Sequence, residues 1–457
     1  MLDQIETAFV NFGNWAWGPH LLVLLMGGGL YFMVFSRFQP YRYFRHAIQI
    51  LQGKYDDPNA PGDLNHFQAL SSALAATVGM GNISGVAIAI TIGGPGALFW
   101  MWMSAIVGMA TKFFTCTLAI LYRGKDTSGK LQGGPMYVIR EGLGKKWMPL
   151  AWFFALCGLI GCTPMFQSNQ LTQIIREQYL MPSGWFAGVD PFSINATIGL
   201  ILVGMVSLVI FGGIKRIGNV AARLVPFMVL LYSGAVMFIL VRFADQIPEH
   251  LWLIVTDAFT GTAVAGGAVG TVILTGVRRA AFSNEAGIGT EAMAHGAART
   301  YEPVREGLVA MMEPVIDTLI VCTMTGLAII MTDAYLVSGL DGVTLTSEAF
   351  ARGIPGPIGQ IILLVCVLIF SLTTMFTYSY YGSKCLGFLI GAERQHYYNY
   401  FYVFSIWFGA VASINAVISL VDGAFAMMAI PTMTSAILLS PKVRQAMTDY
   451  FSRLKTA

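Results

Sequence analysis

The sequence predicts an all-α protein that crosses a lipid bilayer many times, and three observations carry that prediction. Of its 457 residues, 56% are hydrophobic and only 11% are charged, against roughly 25% charged in soluble domains. Apolar runs long enough to cross roughly 30 Å of hydrocarbon recur along the whole chain, and no stretch between them has the length of a soluble domain. The cations gather in short connections between alternate runs, a pattern that orients a membrane protein and does not point to nucleic acid.

The runs lie near residues 16–36, 67–93, 96–122, 148–178, 194–213, 220–243, 259–280, 306–332, 357–383, 399–418 and 421–440, which makes eleven spans. Most are near the roughly 20 residues that a spanning helix needs. Placing the N-terminus outside puts 23 of the 27 Lys and Arg on the inner side. Arg37, Arg42, Arg45 and Lys54 then lie in the first inner loop, and Arg278, Arg279, Arg299 and Arg305 in a later one. Only Arg176, Arg242 and Arg352 fall near the outer face, while Lys112 falls within a span. The positive-inside rule therefore predicts an inner-membrane protein with its N-terminus outside and its C-terminus in the cytoplasm. Asp3 and Glu6 precede the first run where a cleavable leader would be basic, so that run is expected to remain a membrane helix. The inner segment Tyr41 to Gln52 alternates aromatic and basic residues and reads either as an interfacial helix or as an ordinary solvated one.

Enzymatic chemistry finds little support. The six cysteines sit in or beside apolar runs without metal-ligand spacing and read as small buried hydrophobes. The six histidines never pair at i, i+4, and neither an HExxH motif nor a Ser/His/Asp set is present. Only Asn284, Glu285 and Glu291 offer the start of a convergent catalytic set. No cofactor is expected. A channel would need a repeated filter sequence, and the chain has none.

Two spans carry glycines where a lipid-facing helix would not want them. The second reads Ala75-Ala76-Thr77-Val78-Gly79-Met80-Gly81-Asn82-Ile83-Ser84-Gly85, and the seventh runs from Gly261 to Thr271 through Gly266, Gly267 and Gly270. Glycine weakens a helix interior, and open backbone at that depth is tolerated only where protein or a cavity surrounds it. The other reading is that small residues simply let helices pack closely. With the first span set aside, the two interrupted helices become helices 1 and 6 of a ten-helix core, which suits two five-helix repeats of opposite orientation. The expected division is residues 1–65 for the extra span and its loop, 66–243 and 244–440 for the inverted repeats, and 441–457 for a cytoplasmic tail. Half-helix N-termini attract a carboxylate, and freed carbonyls take a bare cation or an ammonium group, so a zwitterionic amino acid suits such a site.

At this point the residues resemble the alanine/glycine:cation symporters, also called the sodium:alanine symporter family. Thr77-Val78-Gly79-Met80-Gly81-Asn82-Ile83-Ser84-Gly85-Val86-Ala87 looks like that family's TVGTGNIAGVA stretch, and Gly133-Gly134-Pro135-Met136-Tyr137 looks like its GGPMY loop. Phe282-Ser283-Asn284-Glu285-Ala286-Gly287-Ile288-Gly289 is similar to its FSNEAGxG signature, and Ile316-Asp317-Thr318 with Cys322-Thr323-Met324-Thr325 to its IDT and CTMT runs. The resemblance implies a LeuT-like fold of eleven helices and uptake of alanine, glycine or a related small neutral amino acid, coupled to sodium and in some members to protons. There are three departures. Met80 stands where the family usually shows Thr, Ser383 where its GWSYYGE block has Glu, and Tyr378 where that block has Trp. The last bears on the substrate. A tyrosine there could add a hydroxyl partner for a larger polar substrate.

The resemblance also implies which residues meet the ligands. Substrate is expected at Ala76, Thr77, Gly79, Gly81 and Asn82 of the first break, at Gly266 and Gly267 of the second, and at Gln167, Asn169 and Tyr378. Gln167 and Asn169 lie on the third core helix, and each also reads as an interhelical hydrogen bond. Na⁺ is expected between the carbonyls of Ala76 and Gly79 and the hydroxyls of Thr373 and Thr374, unless those hydroxyls bond back to their own helix. Lys112, Glu313 and Asp317 lie roughly 12 to 18 Å inside their spans by helical rise. They read as a lysine–carboxylate brace, or with one carboxylate serving as cation ligand or proton carrier.

Overall fold

The computed structural model describes residues 2–184, 186, 188–260 and 269–456. Its helices are α1 (Glu6–Phe35), α2 (His66–Thr77), α3 (Gly81–Gly93), α4 (Gly96–Leu121), α5 (Lys145–Leu180) and α6 (Pro191–Ile210). After these come α7 (Gly213–Arg242), α8 (Ile247–Thr260), α9 (Val269–Asn284), the short α10 (Thr290–His295), α11 (Pro303–Met331) and α12 (Gly342–Gly353). The last are α13 (Ile358–Ile390), α14 (Tyr398–Val411) and α15 (Ile414–Thr456). A two-stranded antiparallel turn, Gly124–Lys125 against Leu131–Gln132, forms in the loop after α4.

Among the described residues, eight helices are long and apolar enough to cross a membrane, or nine if the bent pair α2 and α3 is one span. Two of the eleven expected spans are not among them, for different reasons. The seventh runs through residues 261–268, which lie outside the described residues. The tenth is α14, whose 14 residues fall short of the roughly 20 needed to cross. The segment expected as a separate tail continues α15, which runs for 43 residues. Val443, Met447, Tyr450 and Phe451 keep that end buried. The helix Phe44–Leu51 packs against it through a Tyr43–Phe451 stack of 3.9 Å and a 2.7 Å bond between His46 Nε2 and Tyr450 Oη.

The arrangement follows from which faces are apolar. On α6 and α7, Leu200, Ile201, Leu208, Leu230 and Val241 are exposed, a surface suited to lipid. In contrast α4 is buried along nearly all its length, packed against α9, α11 and α8. It therefore holds its one charge, Lys112, inside protein. Arg278 and Arg279 were expected in an inner loop, and the structure corrects this: both belong to α9 and pair with Asp422 of α15. The Trp17 indole donates to the Asp422 carbonyl at 2.8 Å. A buried carboxylate paired with two guanidinium groups lets the helix continue through them, so neither arginine counts as a loop cation.

Candidate functional site

The site is built around the interruption between α2 and α3. A capping box starts α2: the Asn65 side chain accepts from the Gln68 N–H at 2.8 Å, and the Gln68 side chain accepts from the Asn65 N–H at 3.0 Å. The helix ends at Val78, whose backbone turns extended (φ −74°, ψ 94°). The chain resumes at an angle of 54°. In a regular helix the Gly79 N–H would close on the carbonyl four residues back. Here it donates to Asn82 Oδ1 at 2.8 Å. The first turn of α3, Gly81–Gly85, is wound wide with i→i+5 bonding, a form frequent at functional sites.

Asn82 links the break to a carboxylate far away in sequence. Its Nδ2 donates to Asp317 Oδ1 at 2.7 Å and to the Asp317 carbonyl at 3.1 Å. Asp317 Oδ2 accepts from Ser283 Oγ at 2.9 Å and Thr318 Oγ1 at 2.7 Å, and Asn284 Nδ2 donates to Thr318 Oγ1 at 3.0 Å. Asp317 sits in a second wide turn, Val315–Cys322, within α11. One buried carboxylate thus gathers side-chain donors from α3, α9 and α11. Gly81 allows the approach of α9, since a Cβ there would lie 3.1 Å from the Ser283 Cα.

On the other side of the break, α13 presents Thr374, whose Oγ1 lies 3.4 Å from the Ala76 carbonyl. Gly79 makes room for that hydroxyl, because a Cβ would come within 2.5 Å of it. Thr373 points elsewhere: its hydroxyl bonds back to the Ile369 and Phe370 carbonyls at 2.9 and 3.1 Å. Thr77 likewise donates to the Ala73 carbonyl of its own helix at 3.2 Å.

The remaining expected residues divide. Gln167, just beyond the Pro164 break in α5, is buried, and its Oε1 has no hydrogen-bond partner among the described residues. Asn169 holds the end of α14, donating to the Gly409 and Ala412 carbonyls at 3.0 Å each. Tyr378 donates to Glu285 Oε1 at 2.5 Å, so its hydroxyl is engaged. Gly266 and Gly267 lie outside the described residues. Gly270 lies in helical α9.

The three deep charges are not one cluster. Lys112 Nζ bonds Glu313 Oε2, both fully buried, whereas Asp317 takes the neutral donors above. The wide turn beginning at Val315 breaks the i, i+4 register that would have put both carboxylates on one face. Around Glu313 lie groups the sequence reading did not gather: His295 Nε2 is 3.7 Å from Glu313 Oε2, its Nδ1 bonds Glu306 Oε1 at 2.5 Å, and His66 Nδ1 bonds Glu306 Oε2. They come from α2, α10 and α11, at separations that no local motif reports.

On the α3 side of the break, the helices close over it. Gln170 Oε1 accepts from Ser84 Oγ and from the Val343 N–H at 3.3 Å, and Thr346 Oγ1 donates to the Ile83 carbonyl at 3.2 Å, seating α12 on α3. At the opposite end the Arg123 guanidinium donates to the carbonyls of Pro61 at 2.9 Å, Gly296 at 2.8 Å and Ala298. A broken helix with neutral oxygens at its break, enclosed at both ends, suits binding and release of a small ligand.

The profile described as the "Sodium:alanine symporter family" matches residues 2–457. The chain belongs to the sodium:alanine symporter family. As a member it is a transporter and not an enzyme. It is 38% identical to the "Sodium/alanine symporter AgcS" of Methanococcus maripaludis, with 93% of each chain covered. It is 36% identical to the "Probable sodium/glutamine symporter GlnT" of Bacillus subtilis, over 99% of this chain and 92% of that one. Among solved structures it resembles MhsT, crystallised with L-phenylalanine, at a TM-score of 0.59 and 13% identity, covering 85% of this chain and 99% of that one. That likeness is one of fold, the LeuT fold of MhsT, and the bent α2–α3 pair of this family member is the broken helix expected from its sequence.

Proposed function

We infer that this symporter carries a small neutral amino acid of the alanine or glycine class into the cell with Na⁺. The observation that carries the reading is the open break at Val78–Gly79 with the Thr374 hydroxyl facing the Ala76 carbonyl. Carbonyls of Ala76 and Gly79 with the Thr374 hydroxyl supply neutral, hard oxygens for a cation with roughly five or six ligands, without burying net charge. The engaged hydroxyl of Thr373 makes it the weaker ligand. Gln167, with its unpartnered oxygen, is the side chain that meets the substrate ammonium. The N-terminus is outside and the inverted repeats span residues 66–243 and 244–440.

Uptake of labelled alanine, glycine and glutamine into proteoliposomes, with Na⁺ and pH gradients imposed separately, tests the reading. Accumulation of alanine or glycine driven by Na⁺ is expected. Accumulation driven only by a proton gradient would overturn the sodium assignment. A glutamine-type transporter is the second reading, favoured by the relative named as a sodium/glutamine symporter. Tyr378 does not favour it, since its hydroxyl is spent on Glu285.

Two substitutions separate the ligands. Thr374→Val removes one oxygen at nearly constant volume. It should raise the Na⁺ concentration for half-maximal uptake about tenfold, the equivalent of about 1.4 kcal/mol, and raise the amino-acid requirement less. Unchanged Na⁺ dependence in that variant would count against Thr374. Gln167→Ala should weaken amino-acid binding about tenfold while leaving unfolding behaviour intact. Calorimetric titration giving wild-type affinity would rule the amide out.

A further inference from the structure

Four carboxylates lie buried in one region of the bundle: Glu285 just after α9, Glu291 in α10, and Glu306 and Glu313 on α11. Lys112 is the lysine that Glu285, Glu291 and Glu313 face. Thr115 Oγ1 and the Gly289 N–H hold Glu291 at 2.8 and 2.9 Å, while Thr290 and Tyr378 hold Glu285. Those are neutral donors. Burying several anions against one cation is costly in a medium that solvates neither. The other basic side chains in contact with the cluster are His66 and His295, which grip the two oxygens of Glu306 from opposite sides. The Arg123 guanidinium also faces Glu306 from the loop after α4.

The geometry leaves room for protons at defined atoms. With Glu306 ionised, each imidazole carries its hydrogen on Nδ1 to donate to it, which leaves Nε2 as the ring nitrogen open to a proton. The Nε2 atoms of both His66 and His295 are buried and lack a hydrogen-bond partner among the described residues, as does Glu313 Oε1. His295 Nε2, the ring nitrogen not bonded to Glu306, lies 3.7 Å from Glu313 Oε2. His66 is the first residue of α2, and the next two residues, Phe67 and Gln68, are exposed. One end of this half-helix therefore lies at the protein surface, while the other carries the Ala76 carbonyl at the break.

We propose that His66, Glu306 and His295 form a proton-binding site, separate from the substrate and cation sites, whose occupancy changes when α2 moves. This rests on the reading that Na⁺ seats α2 against α13 through Ala76 and Thr374. With α2 seated, the buried anions are balanced by a proton taken from the inner solution onto a ring Nε2. When α2 leaves, Glu306 loses His66 and meets water, which solvates its charge, and the proton returns to solution. The site gives transport a dependence on inner pH without placing a titrating group beside the coupling cation.

The test adds NaCl to the purified full-length protein in weakly buffered detergent solution containing a pH dye, in parallel with ²²Na⁺ binding. The wild type should take up a fraction of a proton per chain, turning the solution alkaline. His66→Gln and His295→Gln should bind ²²Na⁺ yet lose most of that proton uptake. Na⁺ binding without proton exchange in the wild type would overturn the triad alone. Full exchange persisting in both variants would do the same, by placing the proton elsewhere. Loss of ²²Na⁺ binding in both variants would also overturn it, since the triad could then not be separate from the cation site. Absence of ²²Na⁺ binding in the wild type would overturn the sodium reading and this linkage with it.

Discussion

Lys112→Met should be the most damaging single change outside the ligand site, lowering stability by about 3 to 5 kcal/mol. Lys112 and Glu313 are both fully buried and bonded to each other. Removing the ammonium leaves a carboxylate in a region that already holds Glu285, Glu291 and Glu306. Methionine fills much the same space, so the loss is electrostatic and not a cavity effect. The double variant Lys112→Met with Glu313→Gln removes both charges and should recover most of the stability, because a neutral amide can be satisfied by hydrogen bonds alone. Thermal unfolding in detergent, read by size-exclusion chromatography after heating, compares the three proteins. A single variant as stable as the wild type, or a double variant as weak as the single, would show that the pair does not brace the bundle.

Asp317→Ala should abolish uptake and destabilise the fold, whereas Asp317→Asn should keep the fold and much of the transport. The carboxylate accepts from Asn82, Ser283 and Thr318. Alanine leaves those donors facing one another across a void. Ser283 and Thr318 can turn their hydroxyls to other acceptors, such as the Cys322 sulfur 3.4 Å from Ser283. Asn82 cannot turn without releasing the Gly79 N–H, which it accepts at the break. Asn82 Nδ2 keeps the residue-317 carbonyl at 3.1 Å and the Cys322 sulfur at 3.3 Å but loses its shortest bond, a loss of about 1 kcal/mol that falls on the geometry that opens the helix. Asparagine retains an acceptor for Asn82, and the two hydroxyls can accept from its amide. Uptake and unfolding measured on both variants decide between an acceptor role and a charge role. If Ala and Asn behave alike and both lose uptake with a stable fold, the negative charge itself is required, and Asp317 joins the coupling cation's ligands.

The first break was legible because its signal is local. Gly79 and Gly81 flank a single residue, and a threonine and an asparagine lie beside them in an otherwise apolar run. The burial of Gln167 follows from a polar amide in the middle of a span, as does that of Lys112. For Asn169 the reading kept an interhelical hydrogen bond beside the ligand contact, and for Tyr378 it named no protein partner. Asn169 meets carbonyls at the end of α14, and Tyr378 meets Glu285. A polar side chain in a span must find a partner, but the chain does not say whether that partner is ligand or protein.

Membrane crossing, the helical class and the place of the first interruption were determined by the sequence alone, since each depends on composition or on residues within a few turns. Periodicity and hydropathy act over that range, and the family's motifs are short. The partners of Asp317, the seating of Thr374 against Ala76, and the meeting of His66 with His295 through Glu306 were decided only in the tertiary structure. These contacts join residues that lie up to hundreds of positions apart. Their geometry depends on the 54° bend of α2 against α3 and on the wide turn in α11. Two features of the sequence reading changed for the same reason. Arg278 and Arg279 looked like loop cations until Asp422 arrived from the other end of the chain. Glu313 and Asp317 looked like one cluster until the wide turn carried them to different partners. A charge in a membrane takes its meaning from whatever packing brings against it, and no local pattern encodes that.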